Sequence, residues 1–342
     1  MAKAVKLADI AAIVNVSTVT VSKALSDQKG VSEELRARIK KLAKEMGYQT
    51  PTAARVNENK TYNIGVLISE VFFDQTQSFY WQLYQAVATK AASKECFTLL
   101  EVLSTQNEKD LVLPKLLREE KIDGLIIIGL LSTEFLSMIE RSSKVPYICL
   151  DFYDRNYELD AVITDNYYGM YKLVNYLFDM GHRKIAYVGT LLSTNSITDR
   201  YMGYYKSMLE HGESIPEGYV INDRSKDARA RRVNYDFVLP LDMPTAFACN
   251  NDVTAYELIG YLKQKGYRVP EDVSVVGFDN YQVPGRSDLD ITTYEVDTKE
   301  MARKTVNNLI KKITNEHYKK GMTIIEGRVV IKSSVKKIES QD

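Results

Sequence analysis

The first sixty residues carry a helical period of apolar and polar positions. Leu7, Ile10, Ala11 and Val14 recur at i, i+3, i+4 and i+7, which predicts one amphipathic helix. Asn15 follows where the chain must turn, and asparagine tolerates the left-handed conformation better than most residues. Ser17 is a suitable N-cap for a second helix with Val21, Ala24 and Leu25 on its inner face. Ser32 caps a third, with Glu33 and Glu34 in its first turn, a stripe of Leu35, Ile39, Leu42 and Met46, and Gly47 as its stop. Three short helices with a tight turn between the first two predict a helix-turn-helix.

The second helix is the odd one. Its β-branched residues favour strand, and as a helix it points Thr18, Val19, Ser22 and Lys23 outward. In a helix-turn-helix this is the element that enters the major groove, its N-terminal residues meeting base edges. Ser17, Thr18, Val19, Thr20, Ser22 and Lys23 are therefore the expected DNA contacts there. Hydroxyls and methyls suit base edges, and the lysine suits a guanine or a phosphate.

From residue 62 the pattern changes to buried strand runs alternating with helical stretches: IGVLIS (64–69), CFTLLEV (96–102), GLIIIG (124–129), VPYICLD (145–151), KIAYVG (184–189), TAFAC (245–249) and VSVVGFD (273–279). Such alternation predicts doubly wound parallel sheets, here in two lobes. Ligands of these sheets bind in the crevice at the carboxyl ends of the strands. Ser69, Asp151, Asn251, Asp252 and Asp279 are expected there, and Arg200 opens a helix of the second lobe. Carboxylates and an arginine in one cleft suit a hydroxyl-rich ligand. Trp81, the sole tryptophan, is expected on a helix packing face.

Charge sharpens this division. Residues 1–60 hold eleven Lys/Arg against six Asp/Glu, while the rest hold 34 against 39, so a net charge of zero hides a basic head on an acidic body. Three isolated cysteines (Cys96, Cys149, Cys249) form no CxxC, and three histidines have no metal spacing, so no disulfide framework, metal or cofactor is expected. No apolar run reaches the ~18 residues of a membrane span. MAKAVKLADI has no signal-peptide h-region, and the expectation is a cytoplasmic protein without a membrane partner. An enzyme would need a nucleophile–base pair, a metal cluster or a phosphate loop; neither GxSxG nor GxGxxG nor a Walker-type loop occurs. An exported sugar receptor would not carry the basic head.

The run VKLADIAAIVNVSTVTVSKALSDQKGVSEELRARIKKLAKEMGY resembles the DNA-binding head of the lactose/galactose repressor family. The phrases GHRKIAYVG, DRYMGYYKSMLEHG, PTAFACNND and RVPEDVSVVGFDN resemble that family's core, which is similar to periplasmic binding proteins. The resemblance implies an α/β chain: a small all-α head (1–50), a hinge linker (51–61) and a two-lobed core (62–338). The N-terminal lobe is expected over 62–164 plus 293–322, the C-terminal lobe over 165–292 plus 323–338, joined by three crossovers. It implies a homodimeric repressor of carbohydrate-utilisation genes on near-palindromic operator DNA, released by a sugar-type effector. The alternative is activation by a purine or phosphoprotein corepressor. The tail VKKIESQD lacks the apolar heptads of a tetramerising coil. By the same resemblance Asp151, Arg200, Asn251 and Asp279 align with effector-contacting positions, and Tyr80 with an aromatic lining the pocket.

Four departures stand out. Lys23 replaces the family's usual arginine, losing its bidentate fork, and Asn15 replaces a glycine. Residues 223–236 do not match the family pattern, leaving one pocket wall open. In the hinge, Ala53 and Arg55 are expected in the minor groove, but the usual leucine wedge falls on or beside Asn57, leaving Val56 as a weak substitute or no wedge at all.

Overall fold

The computed structural model describes residues 7–25, 30–46, 48, 61–73, 78–154, 159–224, 233–282, 290–314 and 318–338. The chain divides into two compact units at Thr61/Tyr62. The hinge positions Ala53, Arg55 and Val56 lie outside the described residues.

The first unit holds α1 (Leu7–Val14), α2 (Thr18–Leu25) and α3 (Glu33–Glu45). Ile10, Ala11, Val14, Val21, Ala24, Ile39 and Ala43 form its core, the positions the helical period selects. Asn15 takes the left-handed conformation at φ 56°, and α2 departs from α1 at 104°, within the range of a helix-turn-helix. Ser17 Oγ accepts from Thr20 N at 3.1 Å and Ser32 Oγ from Leu35 N at 3.4 Å, so both predicted caps form. Arg36 ties the far end of α2 down by donating to Ala24 O at 3.4 Å.

In the second unit β1 (Asn63–Ser69), β2 (Phe97–Leu103), β3 (Gly124–Ile128), β4 (Tyr147–Leu150), β5 (Ala161–Thr164) and β11 (Met322–Ile325) make a parallel six-stranded sheet ordered β11-β5-β4-β3-β1-β2. The intervening helices are α4 (Glu70–Phe73), α5 (Phe79–Ala92), α6 (Thr105–Lys109), α7 (Lys115–Arg118) and α8 (Thr133–Ser142), with α12 (Thr298–Ile313) returning from the second lobe. β3 is buried along its whole length, as expected of a strand covered on both faces.

The second lobe holds β6 (Ile185–Val188), β7 (Val220–Ile221), β8 (Ala246–Cys249) and β9 (Ser274–Val276) in the parallel order β7-β6-β8-β9, with α9 (Asn166–Asp179), α10 (Asn195–Glu210) and α11 (Asp252–Gln264). Helices α9 and α10 pack closely because Gly203 faces Tyr167: a Cβ there would stand 2.1 Å from the Tyr167 carbonyl oxygen.

The expected lobe boundaries near the C-terminus differ from those observed. β10 (Thr293–Glu295) pairs with β12 (Arg328–Val330), and Thr292 and Glu295 bridge Val276 and Asp279, so this stretch extends the second sheet rather than the first. β11, through Ile325, belongs to the first sheet. Strands of three or four residues carry too little periodicity to be assigned to a sheet from sequence. The chain crosses between the lobes at Asp165, between β10 and α12, and between β11 and β12.

Candidate functional site

Two regions concentrate functional chemistry. On α2 and its cap, Ser17, Thr18, Val19, Ser22 and Lys23 are exposed and Thr20 is half-buried. Val19 is 61% exposed, although an apolar side chain gains nothing there from the head's own packing. The Thr20 hydroxyl lies 2.9 Å from Ser17 Oγ. Lys23 lies on the outward face, and its backbone carbonyl approaches Arg36 Nη1 at 3.5 Å.

The second region is the cleft at the carboxyl ends of the core strands. Arg200, on α10, is 4% exposed. Its Nε donates to Asn166 Oδ1 at 2.8 Å, Nη2 to Asp279 Oδ1 at 3.1 Å, and Nη1 to the Asn250 carbonyl. The guanidinium also lies 3.8 Å over the centre of the Phe278 ring. Four contacts fix a side chain that would otherwise lose considerable rotamer entropy on being held.

Asp279 follows β9 and Asp151 follows β4, both on left-handed backbone at φ 100° and 67°. Few non-glycine residues adopt this conformation, and its cost is characteristic of functional sites. Burial pushes the carboxyl of Asp151 up to about 6, opposed by the Arg200 charge and a Tyr80 hydrogen bond. Burial likewise raises Asp279 to about 7, against the pull of Arg200 and with the help of Asp151's negative charge. Asp279 therefore feels the charge of Asp151 across the cleft. Tyr80, on α5, is raised well above its ordinary range by burial and by its neighbour Asp151.

Ser69 ends β1 fully buried, and its Oγ has no hydrogen-bond partner; Asp151 Oδ1 is also buried without one. Asn251 is placed differently from the others. Its Oδ1 caps α11 by accepting from Thr254 N at 2.7 Å, and its Nδ2 donates to Asn250 Oδ1 at 3.0 Å, so its amide is engaged locally. Asp252 is buried beneath the cleft and accepts from Tyr281 N at 2.7 Å. Gly277 makes room for it, since a Cβ there would lie 2.0 Å from Asp252 Oδ1. The structure thus brings Tyr80, Asp151, Arg200 and Asp279 together, with Ser69 and Asn251 at neighbouring strand ends. Trp81 packs against Phe73 and Tyr84, each ring 5.4 Å away, on the helix face where it was expected.

Sequence reasoning missed several partners. Asn166 and Asn250 orient Arg200, but asparagines in an αβ chain carry no mark of that role. Asp223, fully buried after the two-residue strand β7, accepts from Asn250 Nδ2 at 2.8 Å and Thr190 N at 2.9 Å. Tyr153, after β4 of the first lobe, donates to Asp199 on α10 at 2.8 Å and so links the two lobes beside the cleft. The adjacency of Asp199 to Arg200 was the one available clue. Arg224, in the stretch that did not fit the family pattern, lies 3.5 Å from Asp223.

Residues 6–51 match the model for bacterial regulatory proteins of the lacI family, and residues 174–335 match a periplasmic-binding-protein-like domain. The chain thus carries a lacI-family helix-turn-helix head and a periplasmic-binding-protein-like domain. It is 26% identical over 335 residues to the Escherichia coli HTH-type transcriptional repressor CytR, covering 97% of each chain. It is 25% identical over 332 residues to the repressor PurR of Vibrio campbellii, covering 96% of this chain and 98% of PurR. Among solved structures, the regulator CelR in complex with cellobiose superposes with a TM-score of 0.66 at 21% identity, covering 96% of this chain and 99% of CelR. The lac repressor dimer bound to operator and an anti-inducer superposes at 0.64 and 21% identity, covering 98% and 100%. Like these relatives, the chain is a transcriptional regulator and not an enzyme.

Proposed function

We propose that this lacI-family regulator binds a near-palindromic operator as a homodimer through α2 and is released from it by a sugar-type effector held between the two core lobes. The observation that carries the effector assignment is the buried Arg200–Asp279 pair, 3.1 Å apart at the strand ends, with Asp151 and Tyr80 facing it. Side chains from both lobes converge there, so a ligand in the cleft favours one lobe arrangement over another, the differential binding that allostery requires. On the DNA side, Val19 offers methyls to a thymine, Thr18 a hydroxyl, and Lys23 a donor to guanine or phosphate. DNA binding of this kind belongs in the cytoplasm, and no single helix among the described residues is long and apolar enough to cross a membrane. Footprinting tests the assembly: two half-sites about one helical turn apart are expected. Protection of one half-site by a monomer would overturn the dimer assignment.

A further inference from the structure

Away from the three crossovers, the lobes meet at a hydrogen-bonded pair beside the cleft. Tyr153 OH, from the first lobe, lies 2.8 and 3.0 Å from the two carboxylate oxygens of Asp199, on α10 of the second. Burial and the bond to Asp199 both raise the Tyr153 phenol, so it keeps its proton and remains the donor.

Both groups are rigidly mounted. Phe152, next to Tyr153, is buried in the first-lobe core. Asp154 Oδ2 accepts from Thr133 Oγ1 at 2.7 Å, which ties the same segment to α8. On α10, Thr198 Oγ1 donates to the Thr194 carbonyl at 3.1 Å and accepts from Leu192 N at 2.9 Å. Arg200, on the other side of Asp199, is held by Asn166, Asn250, Asp279 and the Phe278 ring. Neither mount can swing to follow the other. A hydrogen bond is lost beyond about 3.5 Å, so a small relative turn of the lobes breaks this one. In the same arrangement the Arg200 charge reaches Asp151 of the first lobe. The interlobe bond and the opposed site groups therefore belong to one arrangement of the lobes.

We propose that Tyr153 and Asp199 form a clasp that holds the lobes in the ligand-binding arrangement before any ligand arrives, and so sets how readily the regulator leaves its operator. The link to the operator rests on the effector reading above. Tyr153 and Asp199 are positioning residues, since neither has to touch the ligand. With the clasp made, a ligand finds its site assembled; without it, apparent affinity falls by the fraction of time the site is assembled. A hydrogen bond to a carboxylate is strong enough to move such an equilibrium by about tenfold.

The experiment uses the full chain with a fluorophore pair on Lys121→Cys in the first lobe and Glu217→Cys in the second, both exposed positions. The three native cysteines are buried. Labelled chains are diluted into unlabelled ones, so that each assembly reports one protomer, and interlobe distances are read without ligand. Tyr153→Phe and Asp199→Ala should each move the balance between two distances by about tenfold, and the double variant should move it no further. Asp199→Asn, which keeps an oxygen for the hydroxyl to donate to, should stay near wild type. Identical distances in all five proteins, or single effects that simply add in the double variant, would overturn the clasp. Operator affinity is measured on the same proteins, without ligand, on a site selected from random-sequence DNA. Tighter binding by Tyr153→Phe and Asp199→Ala is expected, because the clasp favours the arrangement that a ligand would stabilise. Unchanged operator affinity with altered lobe distances would overturn the link from clasp to operator. Weaker operator binding with altered lobe distances would keep the clasp and remove the reading that ligand releases the operator.

Discussion

The head and the cleft break opposite rules. In the head every core residue is apolar, and the anomaly lies outside, where Val19 stands in solvent. In the cleft the anomaly lies inside, where Asp151 and Arg200 are buried and the Asp279 side chain is nearly so. Each departure costs stability where it occurs, and under the proposed function a second molecule offsets that cost, a base edge in one case and a polar ligand in the other. A binding surface thus shows itself as whatever its own fold would have avoided.

The most damaging test of the contrast is Ile39→Ala. Ile39 is fully buried in a core of few residues, and truncation costs about 2–5 kcal/mol, comparable to the stability of so small a unit. Operator binding should vanish while calorimetry still registers effector binding by the core. Loss of both would mean that the two units do not fold separately.

Asp279→Ala and Arg200→Ala should do the reverse. Each leaves a buried charge without its partner, a loss on the order of 3–5 kcal/mol, and should abolish the effector response while leaving operator affinity near wild type. Unchanged effector affinity in both variants would refute the site.

Lys23→Ala is smaller, about 1–3 kcal/mol, and should be confined to one base pair if the ammonium reads a base edge. A uniform loss across operator variants would make it a phosphate contact.

The subtlest difference is in pH. Asp151 and Asp279 keep protons in the folded core up to about 6 and about 7, whereas in the unfolded chain they release them near pH 4. Across that window the folded state binds more protons, so these groups' contribution to stability falls as pH rises. The core should melt at a higher temperature at pH 5.5 than at pH 8. Asp279→Asn should narrow the gap. An unchanged gap in this variant would place the protons elsewhere.

Much of this was legible from residue order. The helical period fixed α1, α2 and α3 to within a residue or two, because a small three-helix unit buries one stripe per helix and little else competes. The seven long apolar runs each became a strand; central strands such as β3, covered on both faces, need an unbroken run, and β2 at the edge is only half-buried. β5, β7, β10, β11 and β12 escaped notice. Ala161–Thr164 and Met322–Ile325 are too short to show a period, and the alternation in Arg328–Val330 is no different from that of a loop. In the cleft, residues at the ends of long strands could be placed, since topology dictates where a strand end lies. Asn166, Asn250 and Tyr153 could not, because their roles arise from contacts between segments distant in the chain. Asn251 shows the limit from the other side: it lies at the expected strand end, yet its amide is turned to capping a helix.

The strand order also governs how the molecule can be made. The edge strand β11 of one sheet and β12, which lies against the extension of the other, both come from Met322–Val330. On the ribosome, neither lobe can be completed until these last segments emerge, so both sheets wait with an open edge for most of synthesis. A chain that stops short of Met322 would present unpaired backbone at two places at once, the template on which nascent chains aggregate. Loss of this short stretch should therefore be felt first as loss of soluble protein and only afterwards as loss of regulation.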